Sequence, residues 1–324
     1  MTHRRATVVQ TFRGFWHGSP LGPYQLLCLQ SFVARGHCVE VFTYDRDLAV
    51  PEWITRRDAR EILPGDHVLR YRTGLGAGSP ALHANLFRYA MLHRLGGWWI
   101  DLDVFLLHPD PTPDEVFIVF DPRPEPFVGN AIMHFPCGHA LLAEAVEHCV
   151  ALGENVAFWG QTGPSLMTEL SAKHGLLQLC KPAQLACPVD GFDVAALFDP
   201  ARCDDIRQRC AGSWFLHVLN EIWREAGIPR ELGPPRGSFL DRLCAEYDCG
   251  VKFEERMEIG DVLRWFENRN ALVGLLERKR ELEWTCRDIA AVRDAVLTST
   301  SWRISAPLRG LARLTRRNPV RADR

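Results

Sequence analysis

Hydrophobic and polar positions in the first part of the chain change from a strand-like to a helix-like period and back. A weakly alternating stretch at residues 6–12 predicts a first strand, and residues 38–44 predict a second. Between them, an amphipathic stretch at residues 24–34 predicts a helix that Gly36 stops. Because strand, helix and strand in this order form a βαβ unit, we expect an α/β fold with a mostly parallel central sheet flanked by helices.

The most informative stretch covers residues 82–107, where a helix-like period is followed by an apolar, strand-like run. Gly96 and Gly97 separate the two and are typical of a helix end. Asp101 and Asp103 stand two residues apart in the strand-like part, so on one extended strand both side chains would leave the same face.

Two neighbouring carboxylates at the end of a buried strand repel each other unless a proton or a cation lies between them. Oxygen pairs of this kind suit Mg²⁺ or Mn²⁺. A bare D-x-D more often simply ends a strand. Here Asn85 and Arg88 are three residues apart on one face of the preceding helix, so they can converge with Asp101 and Asp103. We expect them to meet at the carboxyl edge of the sheet, where open α/β folds bind ligands.

The strings N-L-F-R-Y at 85–89 and L-x-x-L-G-G-W-W-I-D-L-D-V at 92–104 resemble the DXD-containing family of GT-A glycosyltransferases. That family includes bacterial polysaccharide and lipopolysaccharide transferases and α-1,4-galactosyl- and α-1,6-mannosyltransferase relatives. The family pattern has Ser-Asp where this chain has Ala84-Asn85, and asparagine keeps hydrogen-bonding capacity but loses the charge. The resemblance implies a Rossmann-like GT-A fold and a metal-dependent, retaining hexosyltransferase that uses a UDP-sugar or GDP-sugar and a glycan or glycolipid acceptor.

The resemblance extends to F-W-x-G at 15–18 and, in part, to H-x-x-N-x-x-W at 217–223. It implies catalysis by Asp101, Asp103 and Arg88; donor binding by Trp16, Asn85, Arg88, Asp101 and Trp223; and Mn²⁺ or Mg²⁺ binding by Asp103, Asp101, His217 and Asn220. It also implies that Asn130 and Thr162 face the transferred sugar and the acceptor. A turn asparagine at 130 and a helix cap at 162 remain open as alternatives.

The composition changes near residue 233, and residues 261–297 have the pattern of one long helix. Leu275, Leu282, Ile289 and Val296 are spaced by seven, which is the period of a coiled coil. The second set of apolar positions that a coiled coil needs contains Lys279 and Arg293 instead. This favours packing on the catalytic domain or a weak homodimer contact over a stable independent coiled coil. We predict a catalytic domain at 1–232, a helical extension at 233–300 and a basic tail at 301–324 that is disordered or rests on an anionic membrane surface.

Whole-chain composition gives fewer constraints. A net charge of −2 gives no reason to expect a nucleic-acid partner. The eleven cysteines contain no C-x-x-C pair, and neither a secretory signal nor a long apolar run is present. We therefore expect reduced thiols and a cytoplasmic protein, which the basic tail could bring to the inner face of the cell membrane.

Two other functions remain open. A haloacid-dehalogenase-like phosphatase also uses D-x-D after an apolar strand, and Val104, Lys181 and Asp204-Asp205 could be assigned its other roles. That chemistry has no role for Asn85, Arg88 and the Gly-Gly pair. The second alternative is a non-catalytic nucleotide-sugar-binding or scaffold protein, because Asn85 replaces an aspartate of the family pattern.

Overall fold

A computed structural model describes residues 8–18, 20–74, 76–122 and 127–309. The chain divides into two compact units, residues 1–266 and residues 267–324. The first two residues of the predicted strand at 6–12, and the predicted basic tail from residue 310 onward, lie outside the described residues.

A five-stranded sheet forms the centre of the first unit, with the order β3-β2-β1-β4-β6. The strands are β1 (Thr11–Phe15), β2 (Cys38–Thr43), β3 (Ile54–Asp58), β4 (Gly97–Ile100), β5 (Val104–Leu106), β6 (Ile132–Phe135) and β7 (Phe215–His217). β1 to β4 are parallel, whereas β6 pairs antiparallel with β4. β5 and β7 form a separate antiparallel pair. The predicted α/β fold with a mostly parallel sheet is confirmed.

Helices cover this sheet and continue beyond it. They are α1 (Pro23–Val33), α2 (Ala81–Leu95), α3 (Ala140–Leu152), α4 (Pro164–Lys173), α5 (Cys203–Arg209), α6 (Asn220–Ala226), α7 (Phe239–Glu246), α8 (Ile259–Thr298) and α9 (Thr300–Ile304). The predicted C-terminal helix is therefore present as α8. Among the helices of the described residues, none is both long enough and apolar enough to cross a bilayer.

The pleat of β4 distributes its side chains between two hydrophobic clusters. Trp98 and Ile100 belong to a cluster that includes Phe32 of α1, whereas Trp99 belongs to a cluster that includes Phe87 of α2. Successive side chains of a strand point to opposite faces, so β4 is buried on both. The carboxyl end of β4 is consequently held rigidly between helices.

The prediction that Asp101 and Asp103 lie in one extended strand is wrong. β4 ends at Ile100, the chain turns through Asp101–Asp103, and Val104 begins a strand of the second sheet. The two acids therefore lie in the turn that connects the sheets.

Two smaller expectations also differ from the structure. The apolar run at residues 115–120 has the pattern of a strand, but among the described residues it forms only isolated bridges at Phe117, Val119 and Phe120. Gly163, not Thr162, occupies the N-cap position of α4, and it makes no side-chain cap. Thr162 is used elsewhere, in a buried hydrogen-bond network.

Gly96 allows α2 to end directly against a neighbouring loop. Its φ is +64°, and a Cβ built on it would lie 2.6 Å from the backbone nitrogen of Cys137. Gly138 also has a positive φ, +76°, but nothing lies within 4 Å of its Cβ position. Comparing substitutions at Gly96 and Gly138 therefore distinguishes the cost of a positive φ from the cost of a steric clash.

We predict that Gly96→Ala lowers the free energy of unfolding by about 2 kcal/mol more than Gly138→Ala does, because only the first combines left-handed strain with a backbone clash. Urea denaturation of both variants measures the difference. Equal destabilisation of the two would show that the approach of Cys137 has no energetic consequence.

His83 is a buried, neutral histidine. Its Nδ1 accepts the backbone N–H of Leu69 at 3.4 Å, and its Nε2 lies 3.2 Å from the hydroxyl of Tyr44. Burial, with smaller contributions from the charges of His17 and His67, lowers the pKa of His83 to about 4.

The pKa of a histidine in an unfolded chain is near 6.5. Between pH 6.5 and 4, His83 is therefore protonated in the unfolded chain but not in the folded chain. We predict that this group reduces the free energy of unfolding by about 3 kcal/mol as the pH falls through that window, and that none of this loss occurs above it. In His83→Gln, whose amide can keep both contacts, the loss should be absent. Urea denaturation at pH 7 and at pH 4.5 compares the two proteins, and parallel pH dependences would contradict the assignment.

Candidate metal and donor site

The carboxylates of Asp101 and Asp103 lie beside the imidazole of His217 at the carboxyl edge of the central sheet. Asp101 follows β4, Asp103 precedes β5, and His217 is the last residue of β7. Because β5 and β7 pair so that Val104 is opposite His217, the histidine is brought next to Asp103. One ligand atom from each of the three side chains lies within 4.8 Å of the other two.

Arg88 approaches Asp101 from α2. Its Nη2 lies 2.9 Å from Asp101 Oδ1, its Nη1 donates to the carbonyl of Asn130, and its Nε donates to the carbonyl of Ala84 at 3.3 Å. The indole Nε1 of Trp99 donates to the same Asp101 oxygen at 2.8 Å. The Arg88 side chain is only 5% exposed, and its charged group is held in place by three acceptors.

Asp103 is held by contacts from the other side of the turn. His217 Nε2 lies 3.3 Å from Asp103 Oδ2, and the backbone N–H of Asn220 donates to the same oxygen at 2.7 Å. The backbone N–H of Val218 donates to the carbonyl of Asp103 at 3.0 Å. The loop between β7 and α6 therefore closes over Asp103.

The pKa values of the two acids shift in opposite directions because their partners differ. Burial raises the pKa of Asp101, and the Asp103 charge adds to this rise against the opposing charge of Arg88. Burial acts on Asp103 as well, but the charge and hydrogen bond of His217 hold the pKa of Asp103 below its ordinary value. Asp103 in turn raises the pKa of His217 well above its ordinary value, although burial acts to lower it. Metal binding by His217 would require its neutral imidazole.

Asn85, Asn130 and Thr162 meet in one buried network. Asn85 Nδ2 donates to Thr162 Oγ1 at 3.2 Å, and Asn130 Nδ2 donates to Asn85 Oδ1 at 3.0 Å and to the Tyr89 hydroxyl at 3.1 Å. Tyr89 itself donates to the carbonyl of Thr162 at 2.9 Å. Since Arg88 donates to the carbonyl of Asn130, the network adjoins the Arg88–Asp101 pair. Contact of these three residues with a donor or an acceptor stays a prediction.

Trp16 lies on the same edge of the sheet as Asp101. It follows β1, which is the neighbour of β4, and its backbone N–H donates to the carbonyl of Phe42 at 2.9 Å. The side chain is partly buried against the cluster that contains Trp98. Stacking of Trp16 on a nucleotide base stays a prediction.

Trp223 is fully buried beneath α6. Its ring centre lies 5.1 Å from that of Tyr24 and 4.8 Å from that of Phe198. Its indole nitrogen has no hydrogen-bond partner among the described residues. A phosphate contact through this N–H stays a prediction.

The donor set fits a divalent cation. Asp101 and Asp103 offer carboxylate oxygens, His217 offers a ring nitrogen, and Asn220 carries a buried Oδ1 without a hydrogen-bond partner among the described residues. An unpaired buried acceptor costs about 1–3 kcal/mol. Metal binding by Asn220 stays a prediction.

Three features of the site were missed by sequence analysis. Trp99 and Tyr89 appeared in the sequence only as letters of the motif strings, although the Trp99 indole donates to Asp101 and the Tyr89 hydroxyl accepts from Asn130. Leu219 has φ +59° and is the only non-glycine residue with a positive φ among the described residues. It precedes Asn220, whose N–H binds Asp103. Strain of this kind is commonly kept at functional sites.

No protein-family profile matches the chain, and no curated protein matches it. Among solved structures, the chain is similar to one titled PaToxG Glycosyltransferase, with 10% sequence identity and a TM-score of 0.41. The similarity covers 82% of this chain and 87% of that chain. At this distance the similarity carries no information on the chemistry of the site.

We predict that Arg88→Lys lowers the free energy of unfolding by about 3 kcal/mol at pH 7, because one ammonium cannot reach three acceptors and leaves the Asp101 carboxylate partly unpaired in a buried site. Arg207→Lys is the matched control, since Arg207 is 65% exposed and lies 3.2 Å from Asp204, and its replacement should cost less than about 1 kcal/mol. Chemical denaturation measures both values. Similar small losses would show that the Arg88–Asp101 pair carries no special weight.

Proposed function

We propose that this protein is a metal-dependent glycosyltransferase that moves a hexose from a UDP-sugar or GDP-sugar to a glycan or glycolipid acceptor with retention of anomeric configuration. The observation that carries the proposal is the convergence of Asp101, Asp103 and His217 within 4.8 Å at the carboxyl edge of a mostly parallel sheet. The motif resemblance around Asp101 and Asp103 supplies the reaction class. Polysaccharide or lipopolysaccharide synthesis is the setting that this resemblance favours.

The residues of the site suit a cation that binds a diphosphate. Asp103, Asp101, His217 and Asn220 would hold it, and the mixed oxygen and nitrogen donors favour Mn²⁺ over Mg²⁺, which prefers oxygen ligands and water. When bound, such a cation neutralises charge that develops on the departing nucleotide diphosphate.

Arg88 is suited to orient the donor. It is a permanently charged fork whose position is fixed by Asp101, Ala84 and Asn130, so it can present positive charge to the edge of the site without rearranging. Asp101 holds Arg88 and, through its remaining oxygen, can accept a sugar hydroxyl or a metal-bound water. The role of Trp16 in this proposal is to stack on the base.

The phosphatase alternative is not favoured by the structure. Lys181 Nζ lies 2.6 Å from Asp114, and Asp205 lies 2.7 Å from Arg202. The side chains that this chemistry would need beside Asp101 are therefore engaged in other ion pairs.

We predict that Asp103→Asn reduces Mn²⁺-dependent release of nucleotide from the accepted nucleotide sugar by at least about 10²-fold, since removing one transition-state electrostatic contact typically costs that much. A panel of UDP- and GDP-sugars, with and without Mn²⁺, identifies the donor on the wild-type protein. Calorimetry of Mn²⁺ binding, which does not require turnover, should show weaker binding to the variant.

Asp204→Asn is the matched control for this experiment. Asp204 is an exposed acid of α5 whose carboxylate lies 3.2 Å from Arg207, so its loss should change neither metal binding nor turnover. Undiminished Mn²⁺ binding and turnover in Asp103→Asn would remove the metal assignment. Tight donor binding by the wild-type protein without transfer or hydrolysis would favour the non-catalytic alternative.

A further inference from the structure

Two exposed stripes run along α8 in the second unit, residues 267–298. The first stripe consists of Leu275, Leu282, Ile289 and Val296, whose side chains are 63%, 66%, 62% and 48% exposed. The second stripe stands three residues before each of these and consists of Leu272, Lys279, Cys286 and Arg293, which are also exposed. Long helices in water are stabilised mainly by packing of an apolar face, so a helix with this stripe uncovered lacks most of that stabilisation.

The charge of this segment favours a protein partner over a lipid surface. Residues 267–298 contain six acidic and six basic side chains, so their net charge is zero. Helices that lie on anionic membranes instead carry an excess of lysine and arginine on the polar face. A second copy of the same helix offers a stripe with the same seven-residue spacing, as a coiled coil requires.

The basic residues of the second stripe decide the orientation of the two helices. In a parallel, in-register pair each position meets itself, so Lys279 would face the partner's Lys279 and Arg293 would face the partner's Arg293. Like charges in two core layers would oppose that pairing.

An antiparallel pair avoids this conflict, and one register of it uses all eight positions. It sets each residue of the second stripe against the first stripe of the other helix: Leu272 against the partner's Val296, Lys279 against the partner's Ile289, Cys286 against the partner's Leu282, and Arg293 against the partner's Leu275. Lysine and arginine can cover an aliphatic neighbour with their stems while the charged ends reach water. Lys279 Nζ already lies 3.8 Å from Glu283, and Arg293 lies 2.7 Å from Asp294, both on the polar side.

We propose that residues 272–296 pair antiparallel with the same segment of a second copy, and that the protein is a homodimer through this helix. The paired segment is roughly 36 Å long at the rise of an α-helix. The proposal is independent of the activity proposed above, because none of its residues belongs to the metal and donor site.

Light scattering coupled to size exclusion tests the dimer on the full chain under reducing conditions. The wild-type protein should have the mass of a dimer at micromolar concentration, and Leu282→Glu should have the mass of a monomer. Trp284→Glu is the matched control, because Trp284 is 69% exposed but lies about 200° around the helix from Leu282. It should remain a dimer. A monomeric wild-type protein, or a Leu282→Glu variant that stays dimeric, would overturn the proposal.

Disulfide trapping tests the orientation. Leu282→Cys places a thiol opposite the partner's Cys286 only in the antiparallel register, so mild oxidation should give a covalent dimer on a non-reducing gel. Adding Cys286→Ser to this variant should abolish it, which excludes the other exposed cysteines, Cys38 and Cys137. A covalent dimer of the wild-type protein that Cys286→Ser abolishes would instead show a parallel pair. Flotation of a monomeric wild-type protein with phosphatidylserine vesicles, lost in Leu282→Glu, would assign the stripe to a lipid surface.

Discussion

The buried ion pair between Arg88 and Asp101 is the constraint on which the site depends. Burial raises the pKa of Asp101, and the Arg88 guanidinium, 2.9 Å from its carboxylate, opposes this rise. The same guanidinium holds the carbonyl of Asn130, so it ties the end of β4 to the segment before β6. With Asp101 fixed, the chain can turn sharply into β5, and that turn delivers Asp103 to His217.

Local pattern was enough to predict the elements around this pair. Residues 85 and 88 are three positions apart, so they lie on the same face of a helix. The Gly96-Gly97 pair predicts a helix end, and both glycines have the positive φ values that other residues rarely adopt. The break after Ile100 was not predictable in this way. An apolar run looks the same whether its residues belong to one sheet or to two, and what separates β5 from β4 is pairing with β7, more than a hundred residues later.

The buried amide network shows the same limit for polar residues. The sequence places Asn85 on the helix face of Arg88 and allows Asn130 to be a turn asparagine, but it gives no sign that the two side chains bind each other. Their hydrogen bonds join residues 45 and 77 positions apart, and such pairs are fixed by the packing of α2 against the segments before β6 and α4. A neutral Asn85 also suits this setting, because its amide both donates to Thr162 and accepts from Asn130, which one carboxylate cannot do.

The site is specified by buried contacts within the chain, whereas the C-terminal helix exposes nearly all of its side chains. In the first unit, aromatic clusters and buried hydrogen bonds specify one arrangement. A charged side chain that is buried among them needs a partner of opposite charge. In residues 267–298 almost every side chain is exposed, and the apolar first stripe therefore remains in contact with water in the single chain. Charge in the second stripe, Lys279 and Arg293, then acts as a selector. These charges disfavour the parallel pair, in which they would face each other, and allow the antiparallel pair, in which each faces an aliphatic side chain. A sequence with an imperfect heptad repeat can in this way still specify one orientation.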